Sequence, residues 1–255
     1  MLRSRIIPCL LVRNKGLVKT VKFRDGKYVG DPINAVKIFN EKEVDELMVI
    51  DIDATAKGHG PDFDLIKKLA IESRMPFCYG GGVTTVDQAR RIINLGAEKV
   101  ALSYAAINDQ NLVSDIAKTV GSQSVVIVLD VKKKKLFKGY DLYTHNGTNK
   151  TKVDPIKLAK ELESIGIGEL VINSIDDDGM MSGYNYKLFD VFREAVSCPM
   201  SILGGAGSYE DIKSAIGRYK TIGVAAGSIF VFKGKYKAVL INYPNRDEKS
   251  RMYGV

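Results

Sequence analysis

Eight short runs rich in β-branched residues alternate with amphipathic helical stretches along the 255-residue chain. Each gap between runs has room for a helix, which suits parallel strands joined by crossovers rather than hairpins. Eight parallel strands can close a barrel, and roughly 250 residues is the usual length of such a barrel. We therefore predict an α/β fold, a single (β/α)8 TIM barrel over residues 1–255. The predicted strands are 5–11, 46–52, 76–80, 99–103, 124–130, 169–174, 200–205 and 223–228.

The segments after the strands carry the apolar spacing of helices, and the last of them is 236–241. Asp31-Pro32, Asp154-Pro155 and Ser208 mark helix starts, because Asp and Ser side chains cap the first turn and proline fits the first helical position. The sequence thus predicts both the strands and the helices of a barrel.

The two halves of the chain resemble each other. MPFCYGGG (75–82) resembles CPMSILGGAG (198–207), DIDAT (51–55) resembles DDDGM (176–180), and CLLV (9–12) aligns with VLDV (128–131). A repeat offset by about half the length favours two similar half-barrels over a doubly wound sheet. This alignment matches Leu11 with Asp130, and Asp51 with Asp176.

Composition excludes several classes of protein. Hydrophobic residues make up 45% and charged residues 27%, as in ordinary globular chains. We expect a cytoplasmic protein without membrane contact, because no secretory leader or bilayer-length apolar run is present. Cys9, Cys78 and Cys198 are widely spaced, and we expect buried thiols rather than a disulfide or zinc framework. The sequence indicates no cofactor and no metal.

The net charge of +8 includes a run at Lys132–Lys135 and further lysines at 233, 235 and 237. No aromatic interleaving or nucleic-acid-binding module accompanies these lysines. They are typical of a solvated basic rim, and they favour an anionic small ligand over DNA or RNA as a partner.

Glycines end three of the predicted strands, at the barrel face where such folds carry their ligands. Backbone amides left open by glycine at helix starts bind phosphate. The sequence therefore predicts a phosphate site at Gly204, Gly205, Gly227 and Ser228. The internal repeat predicts a second site near Gly82 and Ser103. The alternative is that these glycines only permit tight turns.

Acidic residues follow several strands. Asp130 follows the apolar run of strand five, so its carboxylate should face the barrel mouth and suits proton transfer; a loop-capping role is the alternative. Asp51 is a candidate for binding ligand hydroxyls or for a structural role. His59 and His145 lie in predicted loops with no nucleophile paired to them, which argues against a catalytic triad.

The motifs RIIPCLLV, YVGDP, YGGGV, YTHNGT, SIDDDG and GGAGS together resemble the cyclase subunit of imidazole glycerol phosphate synthase, from histidine biosynthesis, over essentially the whole chain. The resemblance implies a partner glutaminase whose ammonia crosses the barrel to a bisphosphate ribonucleotide at the opposite rim. It also implies ligand binding at Lys19, Asp51, Asp178 and Gly179.

The same resemblance implies a charged gate for ammonia at the opposite end of the barrel, made of Arg5, Glu46, Lys99 and Glu169 at the strand starts. Charges in a barrel floor are costly to bury without a pairing network or a purpose. The alternative is a purely structural plug of salt bridges. Glu98 and Gln123 lie near the same end and are candidate contacts for the glutaminase.

The chain departs from the family at two places. The family's two catalytic acids correspond to Leu11 and Asp130, so one of the pair is lost, and the Asn-Thr pair after strand four is Ser103-Tyr104. With LVKTVKF and AVLINYP, this pattern resembles a divergent branch associated with acetamidino sugars of surface polysaccharides, including lipopolysaccharide, alongside a glutaminase and a sugar amidotransferase. The alternatives are a working cyclase, a lyase of histidine biosynthesis, and an unrelated sugar-phosphate isomerase or aldolase.

Overall fold

Eight parallel strands close a barrel in the computed structural model, which describes residues 3–136 and 138–254. Each strand pairs with the next, and the last pairs with the first. The predicted (β/α)8 fold is confirmed. In chain order the strands are β1 Arg5–Arg13, β2 Leu47–Asp51, β3 Phe77–Gly80, β4 Lys99–Leu102, β5 Val125–Lys133, β6 Glu169–Ser174, β7 Met200–Leu203 and β8 Gly223–Ala226.

Helices cover the outside of the barrel, and their starts follow the predicted caps. The Asp31 side chain accepts from Asn34 N with Pro32 in the first turn, and Ser208 forms a capping box with Asp211. Asp154 caps a helix in the same way. The helices of eight or more residues in the described ranges are α1 Pro32–Glu41, α2 Phe63–Glu72, α3 Val86–Asn94, α4 Gln110–Val120, α5 Pro155–Ile165, α6 Tyr186–Ala195, α7 Tyr209–Tyr219 and α8 Arg246–Tyr253. Shorter helices span Ala54–Lys57, Tyr104–Asn108 and Ser228–Val231.

The prediction of a helix over 236–241 is wrong. Ala238–Val239 instead pairs antiparallel with Phe232–Lys233 around a turn. Val239 and Leu240 are exposed, so their helical spacing has no core to face. The eighth helix, α8, starts after Asn245, which caps it, and has Met252 as its buried residue. Apolar periodicity therefore predicted the wrong segment.

The barrel has an inner and an outer apolar layer, since successive strand residues point to opposite faces. Along β1, Ile6 and Leu10 belong to the layer beneath the helices, whereas Ile7 and Cys9 point into the barrel. Cys78 also lies inside, but Cys198 is half-buried, so the prediction of three buried thiols holds for two of them. No helix within the described ranges is long and apolar enough to cross a bilayer.

The half-barrel repeat is visible in the strands. β1 and β5 are both nine residues long because each continues into an antiparallel hairpin, which moves their ends beyond the predicted 11 and 130. Strand pairing confirms the match of Leu11 with Asp130, but it matches Asp51 with Ser174 rather than Asp176. The acidic motifs therefore slip by two residues relative to the backbone repeat.

Among the other barrel strands, β2, β4, β7 and β8 end one or two residues before the predicted position at the mouth, whereas β3 ends at Gly80 and β6 at Ser174, as predicted. β3, β4, β7 and β8 each have four residues. Gly81 and Gly204 follow β3 and β7 with φ of +125° and +98°, a left-handed conformation that ends the strand. Glycine thus ends both strands in the same way in the two halves.

Candidate functional site

A cavity of about 450 Å³ opens at the C-terminal ends of the strands. Its wall contains all of the mouth residues that the sequence singled out, although their ligand-binding roles stay predictions. These residues are Leu11, Lys19, Asp51, Gly82, Ser103, Asp130, Asp178, Gly179, Gly204, Gly205, Gly227 and Ser228. The fold therefore brings residues from both halves of the chain to one place.

Asp130 lies in the cavity wall beside Asn173, its neighbour across the β5–β6 pairing. Asn173 Nδ2 donates to Asp130 Oδ1 at 2.9 Å. Burial raises the pKa of Asp130 to about 7, against this hydrogen bond, which favours the charged form. Near neutral pH both protonation forms are therefore populated, as proton transfer requires.

Leu11 occupies the matching place in the first half. It is half-buried, lines the cavity and packs against the apolar layer inside the barrel. A leucine side chain neither gives nor accepts a proton. The wall at the end of β1 is therefore apolar where the wall at the end of β5 is acidic.

Two further carboxylates in the wall hold loops in place. Asp51 Oδ1 accepts from the backbone N–H of Asp53 and Ala54, at 3.0 and 3.2 Å. Asp178 Oδ2 accepts from Thr20 Oγ1 at 2.7 Å and from Phe23 N at 3.1 Å. Burial raises the pKa of both carboxyls above the ordinary value. Asp51 and Asp178 therefore each hold a loop by accepting its hydrogen bonds, whereas Asp130 accepts from the side-chain amide of Asn173.

The hairpin that continues β1 folds over the mouth and carries Lys19 into the protein. Lys19 is buried, and its Nζ donates to the carbonyl oxygen of Cys9. Burial lowers the pKa of Lys19. A methyl group on Gly227 would overlap Lys19 Nζ. The amine therefore lies directly against the end of β8, where the sequence predicts a phosphate.

The turn requirement accounts for glycine at the strand ends. A Cβ on Gly204 would lie 2.7 Å from the Ser174 carbonyl oxygen, and one on Gly81 would lie 2.5 Å from the Asp51 carbonyl oxygen. Both contacts are too close for any side chain. Glycine is thus required by the backbone alone, and phosphate binding at these amides stays a prediction.

Sequence reasoning noted Tyr104 and His145 but did not place them in the wall of the mouth. Tyr104 and His145 form an edge-to-face pair with ring centroids 5.0 Å apart, and both line the cavity. Asn173 was also missed, and its Oδ1 is buried without a partner among the described residues. The strand register was the missing information, because Asn173 lies next to Asp130 across the sheet and its repeat counterpart, Ile50, is apolar.

At the opposite end, the four predicted floor residues form one ring of ion pairs. Arg5 contacts Glu46, and its NH2 lies 2.8 Å from Glu169 Oε1. Lys99 Nζ lies 2.7 Å from Glu46 Oε1 and 2.9 Å from Glu169 Oε2. Each cation therefore bridges both carboxylates, and each carboxylate accepts from both cations.

Burial and charge act against each other in this ring. The carboxylates are 4% exposed, Lys99 is 18% and Arg5 is 26% exposed. Burial acts to raise the pKa of Glu169, but the charges of Arg5 and Lys99 outweigh it and hold that pKa well below its usual range. The same attraction raises the pKa of Lys99 despite its burial. Ion pairing thus favours the charged forms of Glu169 and Lys99 over the neutral forms that burial favours.

The surroundings of the two ends differ in charge. Segments 13–30, 131–153 and 228–240 follow or flank the mouth ends of β1, β5 and β8, and they contain 16 of the 38 Lys and Arg but 2 of the 30 Asp and Glu. At the floor end, Glu98 and Gln123 are both exposed. The mouth is therefore the basic end of the molecule.

Together these features define a (β/α)8-barrel protein with a ligand-sized mouth and a charged floor. A model of the family described as "Histidine biosynthesis protein" matches residues 5–237. The chain belongs to this family and, within it, to the cyclase-subunit group of imidazole glycerol phosphate synthase.

The chain has relatives along nearly all of its length. It is 55% identical to "Putative imidazole glycerol phosphate synthase subunit hisF3" of Vibrio vulnificus, over 98% of this chain and 96% of that protein. It is 51% identical to "Putative imidazole glycerol phosphate synthase subunit HisF" of Leptospira interrogans, over 99% and 100%. It is 38% identical to "Imidazole glycerol phosphate synthase subunit HisF" of Exiguobacterium sibiricum, over 85% and 86%.

Proposed function

We propose that this chain is the ammonia-accepting barrel of a cytoplasmic glutamine amidotransferase complex that forms acetamidino groups on sugars of surface polysaccharides. A glutaminase partner docks at the floor and releases ammonia into the barrel. A sugar amidotransferase uses this ammonia at the mouth. The barrel binds a phosphorylated small molecule there but carries out no cyclisation of its own.

Leu11 is the observation that carries this proposal. Cyclisation with lyase chemistry needs one group to donate and another to accept protons. Of the two strand-end positions matched by the repeat, only that of Asp130 holds an acid. Asp51 and Asp178 are nearby, but their carboxylates already accept backbone or hydroxyl hydrogen bonds that hold loops. The mouth is therefore poorly equipped for paired acid–base catalysis.

The floor supports the delivery role. Four charges in a barrel floor stabilise a fold less effectively than packed apolar residues would, so a ring of this kind suggests a use beyond stability. Two cations and two anions neutralise each other, and displacement of one side chain would open a path for neutral ammonia. Glu98 and Gln123 would contact the glutaminase at the same end.

The identities with known proteins also support a separate branch. The chain is 55% identical to the Vibrio vulnificus protein but 38% identical to the Exiguobacterium sibiricum subunit. The departures at Leu11, Ser103 and Tyr104 suit a protein that has kept the barrel and changed its chemistry. This is the resemblance to the sugar-amidating branch carried by LVKTVKF and AVLINYP.

A working cyclase of histidine biosynthesis is the second candidate. Asp130, with a pKa near 7, favours it, and the imidazole of His145 in the same wall is a second side chain of a type that serves as a general acid or base. In that case His145 would replace the acid missing at position 11.

Two experiments separate these candidates. The first is complementation of a histidine-requiring strain that lacks the cyclase; growth at the normal rate would favour the second candidate. The second is reconstitution of the purified chain with a glutaminase and a sugar amidotransferase. We expect the barrel to stimulate glutamine hydrolysis and to couple it to amidated sugar, and absence of both effects would contradict the proposal.

A further inference from the structure

One corner of the floor ring has no side chain of its own. Cys78 and Ser201 match in the two halves, because each lies two residues after the proline that opens its strand. Cys78 pairs with Lys99 across the sheet, and Ser201 pairs with Gly223. Gly223 therefore stands where the other half has Lys99. The ring has a lysine at one corner and an empty position at the opposite one.

Arg5 covers this empty corner. It pairs with Gly223 across the β1–β8 boundary, and its guanidinium reaches from there to both Glu46 and Glu169. It is the most exposed of the four ring residues, at 26% against 18% for Lys99. Displacement of Arg5 toward solvent would leave Lys99 still bound to both carboxylates.

Ser201 lies directly behind the empty corner. It is fully buried, and its Oγ donates to Glu169 Oε1. A methyl group on Gly223 would overlap Ser201 Oγ, so the hydroxyl fills the space that a side chain at Gly223 would occupy. While it donates to Glu169, the hydroxyl oxygen keeps lone pairs that can accept an N–H. The matching group behind Lys99 is the thiol of Cys78, a much weaker hydrogen-bonding group.

We infer that ammonia enters the barrel at the Gly223 corner, where Arg5 is the movable cover and the Ser201 hydroxyl is the first hydrogen-bonding group inside. This inference rests on the proposed function. Entry at the Gly223 corner leaves Lys99 bound to both carboxylates. Entry at the Lys99 corner would require Lys99 to leave both carboxylates, and the ammonia would then meet the thiol of Cys78 rather than a hydroxyl. Ser201 is thus a positioning residue for the passing ammonia.

The experiment compares matched substitutions on the two sides of the ring, Ser201→Val and Cys78→Val. Each adds carbon at the same level of the barrel, and both positions are fully buried, so neither substitution alters the protein surface. In the reconstituted complex with glutaminase and sugar amidotransferase, the measured quantity is amidated product per glutamine hydrolysed. We expect Ser201→Val to lower this ratio strongly and Cys78→Val to leave it near that of the unaltered complex.

A third substitution, Ser201→Ala, removes the hydroxyl without adding bulk, in case the valine disturbs folding. Loss of one hydrogen bond worth about 1 kcal/mol predicts a fall of about fivefold in the same ratio. Melting temperatures of all three variants check that the barrel is folded.

The outcomes separate the two ideas. A lower ratio for Cys78→Val with no change for the Ser201 variants would place the entry at Lys99 and overturn the inference. Equal effects on both sides would overturn it as well. If the unaltered complex couples no hydrolysis to product, the proposed function itself fails, and the inference fails with it.

Discussion

The two half-barrels share a backbone plan but differ in the polarity of their inner faces. At the mouth, Leu11 and Ile50 of the first half correspond to Asp130 and Asn173 of the second. The second pair is joined by a hydrogen bond of 2.9 Å, whereas the first pair packs against the apolar interior. A repeated fold thus keeps its turns and layers while, at this matched pair of positions, the polar side chains are present in the second half only.

The same division appears in what each position requires. Gly81 and Gly204 are fixed in both halves by close backbone contacts, so the fold depends on them equally. Leu11 and Asp130 meet no such constraint, and the barrel forms with either residue at the strand end. The two halves therefore differ in residue type at positions that the backbone does not constrain, and the residues at these positions determine whether a proton-transfer group is present.

The largest expected effect tests the missing acid of the first half. With ammonia and the histidine-pathway nucleotide, we expect turnover about 100- to 10,000-fold below that of a cyclase with both acids, the usual cost of one proton-transfer group. Leu11→Asp should raise turnover, while the isosteric control Leu11→Asn should not. Ser103 and Tyr104, which stand where the family has an Asn-Thr pair, limit the turnover that Leu11→Asp can reach.

Near-normal turnover by the unaltered chain would contradict this expectation. His145→Ala would then show whether the histidine acts as the second group, because its removal should abolish the turnover.

The second prediction concerns the acid of the second half and stability. Asp130 has a pKa of about 7 when folded and about 4 when unfolded. The folded chain therefore binds a proton that the unfolded chain has lost between these values, and its stability falls as the pH rises from about 4 to about 7. Asp130→Asn has no carboxyl group to titrate at this position. The difference in free energy of unfolding between the variant and the unaltered chain should therefore shift in favour of the variant from pH 4 to pH 7, by at most about 4 kcal/mol.

Urea unfolding of both proteins from pH 4 to pH 8 measures this difference, in which other titrating groups cancel. A difference that does not change with pH would show that Asp130 is charged throughout, and that its environment is more polar than the burial implies.

The third prediction concerns Lys99 in the floor ring, whose counterpart in the second half is Gly223. Lys99→Ala leaves two carboxylates with Arg5 alone, which should cost on the order of 2 kcal/mol, less than a fully stranded buried charge. Glutamine hydrolysis in the complex should survive while its coupling to transfer falls. Lys118→Ala, in an ion pair that is 72% exposed on the lysine side, should change neither quantity.

Loss of stability with intact coupling would give a different answer. The four floor charges would then be a structural plug, and the delivery role would lose their support.

The smallest expected effect concerns the anion sites of the two halves. Inorganic phosphate at about 10 times its dissociation constant would stabilise a binding protein by about 1.4 kcal/mol and raise its melting temperature. In crystals grown in phosphate we expect anions at the amides of Gly204, Gly205, Gly227 and Ser228, with a second site near Gly82 and Ser103. Water alone at both places, with ordered loops, would contradict the prediction.

Local signals predicted most of the fold. β-branched runs gave the strands, Asp and Ser caps gave the helix starts, and glycines gave the strand ends. The helix α8 was missed because it is mostly polar and contributes one buried residue, Met252, so periodicity has little to detect. Residues 236–240 have helical spacing, but all five are exposed and no helix forms there.

The site was predictable to the extent that it depends on strand position. The ends of parallel strands meet at one face, so Asp130 and the glycines had to come together. Asn173 was not recognised, because its importance comes from a neighbour across the sheet and not from nearby sequence. The match of Asp51 with Asp176 was wrong. The two short acidic motifs resemble each other in sequence, but they lie two residues apart in the backbone repeat.

The three basic segments around the mouth have an effect at distances well beyond the cavity. Outside them the chain has 22 Lys and Arg against 28 Asp and Glu, so the positive end of the molecule is opposed by a negative body. Such an uneven distribution makes the mouth the positively charged part of the molecule. A phosphorylated ligand diffusing nearby would be drawn toward the open end, at a rate that falls as ionic strength rises, whereas uncharged ammonia would feel almost none of this field.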